Sequence, residues 1–249
     1  MPIPGRSSIP RTVASTAPFN RMPRLAAIYL IVAALWMASS WCYYAFVAAL
    51  ALKNGYDDAP LMFTSYYLAW SAIALVLFRP VLKVHVTPRR IVGHVIALTP
   101  ILLIYAVYVS MLLPLLPEVS IQRAPKDPPE FMFASASYYL PKSADILFQQ
   151  ILIATMVLGA ARARMPLLAI STAMAVLFGG FHLLLIFDGF TPLYVTRFTI
   201  AAAIFGLAIP YLYLRSRHGF RWAYGLHWSF YAVDAAITHL LLAVPPWAN

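Results

Sequence analysis

The side chains of this sequence that could do chemistry are few, and they stand in apolar surroundings. Gln149 and Gln150 are paired in one apolar run, His182 lies near the end of the next, and His227, Asp234 and His239 share the last. His227, Tyr231, Asp234 and Thr238 follow in steps of four, three and four, which puts them on one face of a helix. An imidazole and a carboxylate on such a face can exchange a proton with a substrate, polarise a carbonyl, or satisfy each other in an interhelical hydrogen-bond network. Two histidines directed at each other across helices could also ligate a metal ion or haem. His94 and Arg197 fall near helix ends and read as interfacial anchors, while His85 and His218 fall in connections.

Composition fixes what must position these residues. Of 249 residues, 62% are hydrophobic and 10% charged, and mean hydropathy is +0.77. Soluble domains carry about 25% charged residues, so most apolar side chains here must face lipid. This excludes a soluble enzyme, a disordered chain and a nucleic-acid module. Crossing about 30 Å of hydrocarbon takes roughly 20 residues of helix. Seven runs qualify: Leu25–Leu52, Ala59–Phe78, Ile91–Leu116, Ala144–Ala161, Met165–Phe187, Thr191–Leu214 and Trp222–Val244. The single cysteine, Cys42, lies inside a run, so no intrachain disulfide can form.

The +10 net charge is an orientation signal. Sorted by alternate connections, thirteen cations (Arg6, Arg11, Arg21, Arg24, Arg79, Lys83, Arg89, Arg90, Arg162, Arg164, Arg215, Arg217 and Arg221) fall on one side with no acid. Seven of the eight acids, Asp145 among them, fall on the other with Lys53, Arg123, Lys126, Lys142 and Arg197 on or near that side, leaving Asp234 as the one acid expected deep in the bilayer. Because Lys and Arg of short loops stay cytoplasmic, this predicts a cytoplasmic-membrane protein with its N-terminus inside and its C-terminus outside. The expected organisation is a disordered cytoplasmic tail over residues 1–24, three helices over 25–116, an extracytoplasmic loop over 117–143 and four helices over 144–249. The loop is rich in proline and carries Phe131, Met132, Phe133, Tyr138 and Tyr139, an aromatic belt or lid. Pro100 and Pro210 fall inside runs and predict kinks.

Three pieces of the C-terminal half belong together. The pair Gln149-Gln150 is followed by Phe178-Gly-Gly-Phe-His182, and then by Trp222-Ala-Tyr-Gly-Leu-His227. In their order and spacing, residues 145–249 resemble the intramembrane endopeptidases that include the type II CAAX prenyl proteases and bacteriocin-processing relatives. That family carries Glu-Glu-x-x-x-Arg, Phe-x-x-x-His and His-x-x-x-Asn motifs on successive helices. The resemblance implies the family fold and a shared site formed by Gln149, Gln150, His182, His227 and Tyr231, with Asp234 beside it. It also implies a reaction: a glutamate takes a proton from water, the water attacks the peptide carbonyl, and His and Asn stabilise the oxyanion. Here both glutamates are glutamines, the Arg position is Ala154 and the Asn position is Tyr231. An amide cannot take the proton, and loss of a general base alone costs about 10²–10⁴-fold.

The expectation is therefore an all-α polytopic membrane bundle, CAAX-protease-like in its C-terminal half and lacking peptidase activity. It would act as a binding or scaffold protein for a hydrophobic or lipidated peptide, or for a membrane partner, with no cofactor and no nucleic acid. The alternatives are an active intramembrane hydrolase that uses Asp234 as its base, and a His-ligated metal or haem protein. Counted along straight helices at 1.5 Å per residue, His182 and His227 stand roughly 18 Å apart in depth, which works against a common site. Transport is disfavoured by the lack of an inverted repeat.

Overall fold

The computed structural model describes residues 22–82, 88–120, 134–188 and 190–242. The N-terminal tail and the Phe131–Phe133 part of the expected lid lie outside these. Helices α1 (Met22–Ala49), α2 (Gly55–Asp58), α3 (Pro60–Leu77), α4 (Arg79–Leu82) and α5 (Pro88–Val107) come first. A π-turn over Tyr108–Leu112 extends α5, and α6 (Tyr139–Arg162), α7 (Leu167–Leu183), α8 (Pro192–Arg215) and α9 (Gly219–Leu241) follow. Pro100 and Pro210 sit inside α5 and α8, which continue past them.

Six of these helices are long and apolar enough to cross a bilayer. The last, α9, has the length at 23 residues, but Arg221, His227, Asp234 and His239 lower its hydropathy. Its faces explain it. Tyr224, Trp228, Asp234 and Thr238 are buried, whereas Trp222, Leu226, Val233, Ile237 and Leu240 point outward. An inward polar face and an outward apolar one suit lipid surroundings. The same pattern holds elsewhere, with Trp41, Val76, Leu168 and Leu193 each more than 70% exposed. The chain is an all-α polytopic membrane bundle.

Helix α6 is its centre. Most of the apolar stretch of α6 is buried (78%), against 11–28% in the other five crossing helices. It packs against α1, α3, α7, α8 and α9. Helix α5 runs parallel to α9 and is fastened along its length. Arg221 Nη1 donates to Ala97 O (3.2 Å), Tyr105 OH to Gly225 O (2.7 Å) and Tyr108 OH to Ala232 O (2.8 Å). Parallel contact is what a third and a seventh crossing require. The Tyr105 ring stacks on Trp228 at 3.6 Å and 8°. Tyr105→Phe keeps that stacking and removes the hydrogen bond, so it should cost about 0.5–1.5 kcal/mol in a chemical-unfolding titration in micelles.

Charge is sorted along the bundle. Arg24, Arg79, Arg162, Arg164, Arg215, Arg217 and Arg221 fall at the start of α1, the end of α3, the end of α6 and the α8–α9 turn, with no acid at that end among the described residues. Asp57, Asp58 and Glu118 fall at the other end. There Asp58 accepts from the Asn54 and Lys53 backbone N–H groups (2.8 and 2.7 Å), which hold its carboxyl below the usual range. The hydroxyls of Ser135 and Ser137 both reach Asp57, tying the descending end of the long loop to α2.

Candidate functional site

Helix α6 begins five residues earlier than the apolar run predicted, at Tyr139, and Pro141 is accommodated in its first turn. This draws Lys142 and Asp145, expected as an outer cation and an outer acid, into the buried stretch of the helix. Both side chains are less than 10% exposed and pair at 2.8 Å. Asp145 is thus a second acid buried inside the bundle, beside Asp234, because Lys142 and Asp145 depress local hydropathy while facing inward. Charges taken from water are tolerated only when paired and further hydrogen-bonded, and these are. Gln149 Nε2 donates to the second oxygen of Asp145 (2.8 Å), and the Lys142 ammonium lies 4.0 Å from the centre of the Tyr231 ring.

One residue on, Gln150 is wholly buried. Its Nε2 meets His227 Nδ1 at 3.0 Å and its Oε1 accepts from Tyr213 OH at 2.7 Å. His227 stacks near Tyr231 with ring centres 5.7 Å apart. Thus α6 and α9 bring Lys142, Asp145, Gln149, Gln150, His227 and Tyr231 into one polar cluster between helices.

His182 stands at its edge. Its Nδ1 lies 2.8 Å from Phe178 O, a bond within its own helix, and Phe178 packs through Phe205 onto His227 (centres 5.9 and 4.9 Å). The observed helix starts shorten the straight-helix depth count of roughly 18 Å. Helix α9 starts at Gly219, so His227 is eight residues in, and His182 is fifteen beyond the start of α7 at the same end. Counted along straight helices at 1.5 Å per residue this is about 10 Å, and Phe178 and Phe205 link α7 to His227.

Asp234 belongs to a neighbouring pair. Arg197 Nη2 approaches its two oxygens at 3.0 and 3.3 Å, so Arg197 is an ion-pair partner rather than a free interfacial anchor. No hydrogen bond joins Asp234 to His182 or His227 among the described residues, so the cluster's own carboxylate is Asp145. His239 lies further out, its Nδ1 at 2.9 Å from Pro117 O, where it fastens the start of the long loop. Among the described residues no three His, Cys, Asp or Glu side chains are grouped as metal ligands.

No family model, no curated protein and no solved structure matches this chain. Its site must be read from its own residues. Gln149, His182, His227 and Tyr231 each keep part of their surface accessible, whereas Gln150, Lys142 and Asp145 are sealed behind them. The accessible layer offers imidazoles, an amide and a phenol that can donate or accept hydrogen bonds. The sealed layer holds that first layer in place. Sequence reading found Gln149, Gln150, His182, His227 and Tyr231, and missed Lys142, Asp145 and Tyr213. The spacing of Lys142, Asp145 and Gln149, three and then four residues, was the available signal.

Proposed function

We propose that this membrane protein resides in the cytoplasmic membrane, N-terminus inside and C-terminus outside, and that its C-terminal half is a CAAX-protease-like scaffold without peptidase activity. It binds a hydrophobic or lipidated peptide whose polar backbone meets Gln149, His182, His227 and Tyr231 while its apolar part lies among the surrounding aromatic rings. One observation carries this reading. The residue bonded to His227 is an amide, Gln150, whose two ends are committed to His227 and Tyr213. It stands where the resembled proteases hold the carboxylate that takes the proton from water. Without that base the same donors can hold a peptide carbonyl but have nothing to activate the attacking water. The orientation rests on the arginine-rich end of the bundle and the positive-inside rule.

A second reading, an intramembrane hydrolase with a non-standard base, is favoured by Asp145, a carboxylate in contact with Gln149. In that case Asp145, rather than Asp234, takes the proton.

Binding is tested with purified full-length protein in nanodiscs, a fluorescent farnesylated peptide and its unprenylated parent, read by anisotropy. The prenylated peptide should bind more tightly, and Tyr231→Ala should weaken it about tenfold, the loss expected for about 1.4 kcal/mol of hydrogen bonding. Leu168→Ala, on the outward face of α7, should leave binding unchanged. Equal affinity of Tyr231→Ala and the wild type would contradict the proposed site.

A further inference from the structure

At the end of α3 the chain turns sharply into α4, and Val76, Leu77, Arg79 and Pro80 line an open groove of about 620 Å³. Its position gives it two unlike halves. Val76 and Leu77 are on the outward face of a membrane-crossing helix and are 73% and 51% exposed, so they meet acyl chains. Arg79 stands at the helix end, where headgroups begin. It is exposed and has no hydrogen-bond or ion-pair partner among the described residues. A second guanidinium is fixed at the rim, because Arg162 Nη1 donates to Pro80 O at 2.7 Å.

The two connections beside this site carry no acid. The connection 79–90 contains Lys83, Arg89 and Arg90 but no acid, and 162–166 contains Arg162 and Arg164 but no acid. Two guanidiniums beside apolar walls at the membrane surface match a phosphate joined to acyl chains. Free phosphate would leave Val76 and Leu77 without a role, and a choline headgroup would set a cation among arginines.

We infer that the groove beside Arg79 binds one anionic diacyl phospholipid, its phosphate held by Arg79 and Arg162 and one acyl chain lying along Val76 and Leu77. The site is independent of the polar cluster between α6 and α9. Occupied, it would lock the α3 end against α6, since Arg162 is the last residue of α6.

The test uses full-length protein in detergent micelles with equimolar phosphatidylglycerol and phosphatidylcholine, the retained lipids being counted by native mass spectrometry. One phosphatidylglycerol should be retained in preference to phosphatidylcholine. Arg79→Gln should reduce that preference about fivefold, the factor for one arginine at a lipid surface, and Val76→Trp should abolish retention by filling the groove. Arg217→Gln, at the same end but outside the groove, should leave the preference intact. Equal retention of the two lipids, an equal loss in Arg217→Gln, or displacement of the lipid by millimolar inorganic phosphate would each overturn the inference.

Discussion

Asp145→Ala should destabilise the folded bundle by about 3–5 kcal/mol, the cost of leaving a buried charge without its partner. The loss has two parts. Lys142 would remain inside the bundle facing the rings of Tyr231 and Tyr56 at 4.0 and 5.9 Å, and Gln149 would lose the acceptor for its amide. Aromatic faces attract a cation, but by about 2 kcal/mol when desolvated, which does not replace a carboxylate at 2.8 Å. The double variant Lys142→Met/Asp145→Leu removes both charges and should recover most of the stability, because an apolar pair of similar size is often neutral or better. Thermal unfolding followed by circular dichroism in micelles would show a large drop for the single variant and a small one for the double. A single variant as stable as the wild type would mean that water reaches Lys142.

The second large effect is expected at Gly206. A Cβ there would stand 2.6 Å from Met174 O and 2.7 Å from Ala175 Cα, backbone atoms of the neighbouring helix that cannot rotate away. Helices α7 and α8 approach this closely because Gly179 and Ala203 also meet across them, where a Cβ on Gly179 would lie 3.2 Å from that of Ala203. In lipid, such small-residue contacts replace the hydrophobic drive that water supplies. Gly206→Val must part the helices, at a cost of about 1–3 kcal/mol or more. It should also reach the cluster, since the adjacent Phe205 packs between Phe178 and His227. The variant should unfold at lower denaturant and lose peptide binding, while Gly180→Ala, at a glycine whose Cβ would meet nothing within 4 Å, should do neither.

Much of this architecture was legible in the sequence, for physical reasons that also mark where legibility ended. The crossing helices announced themselves by length and apolarity, and α9 was counted among the apolar runs although its polar residues dilute its hydropathy. The sorting of arginines to one end followed from counting connections. Side-chain pairing was not legible in the same way. Lys142 and Asp145 looked like loop charges because hydropathy sums residues without asking whether opposite charges three residues apart cancel one another. Tyr105 and Tyr108 stand in an apolar run without any spacing signal, and only the parallel packing of α5 on α9 reveals that their hydroxyls hold backbone carbonyls of the last helix. The straight-helix count between His182 and His227 shortens because α9 starts three residues before Trp222 and α7 two residues after Met165.

The proposed role of the cluster is to hold a peptide without cutting it. The most direct measurement is a mass-spectrometric time course of a farnesylated peptide incubated with the full-length protein in nanodiscs, beside His182→Ala and Asp145→Asn. The expected result is a peptide that stays intact while bound to the wild type. Cleavage by the wild type that disappears in either variant would contradict it, and its loss in Asp145→Asn with the protein still folded would identify Asp145 as the base.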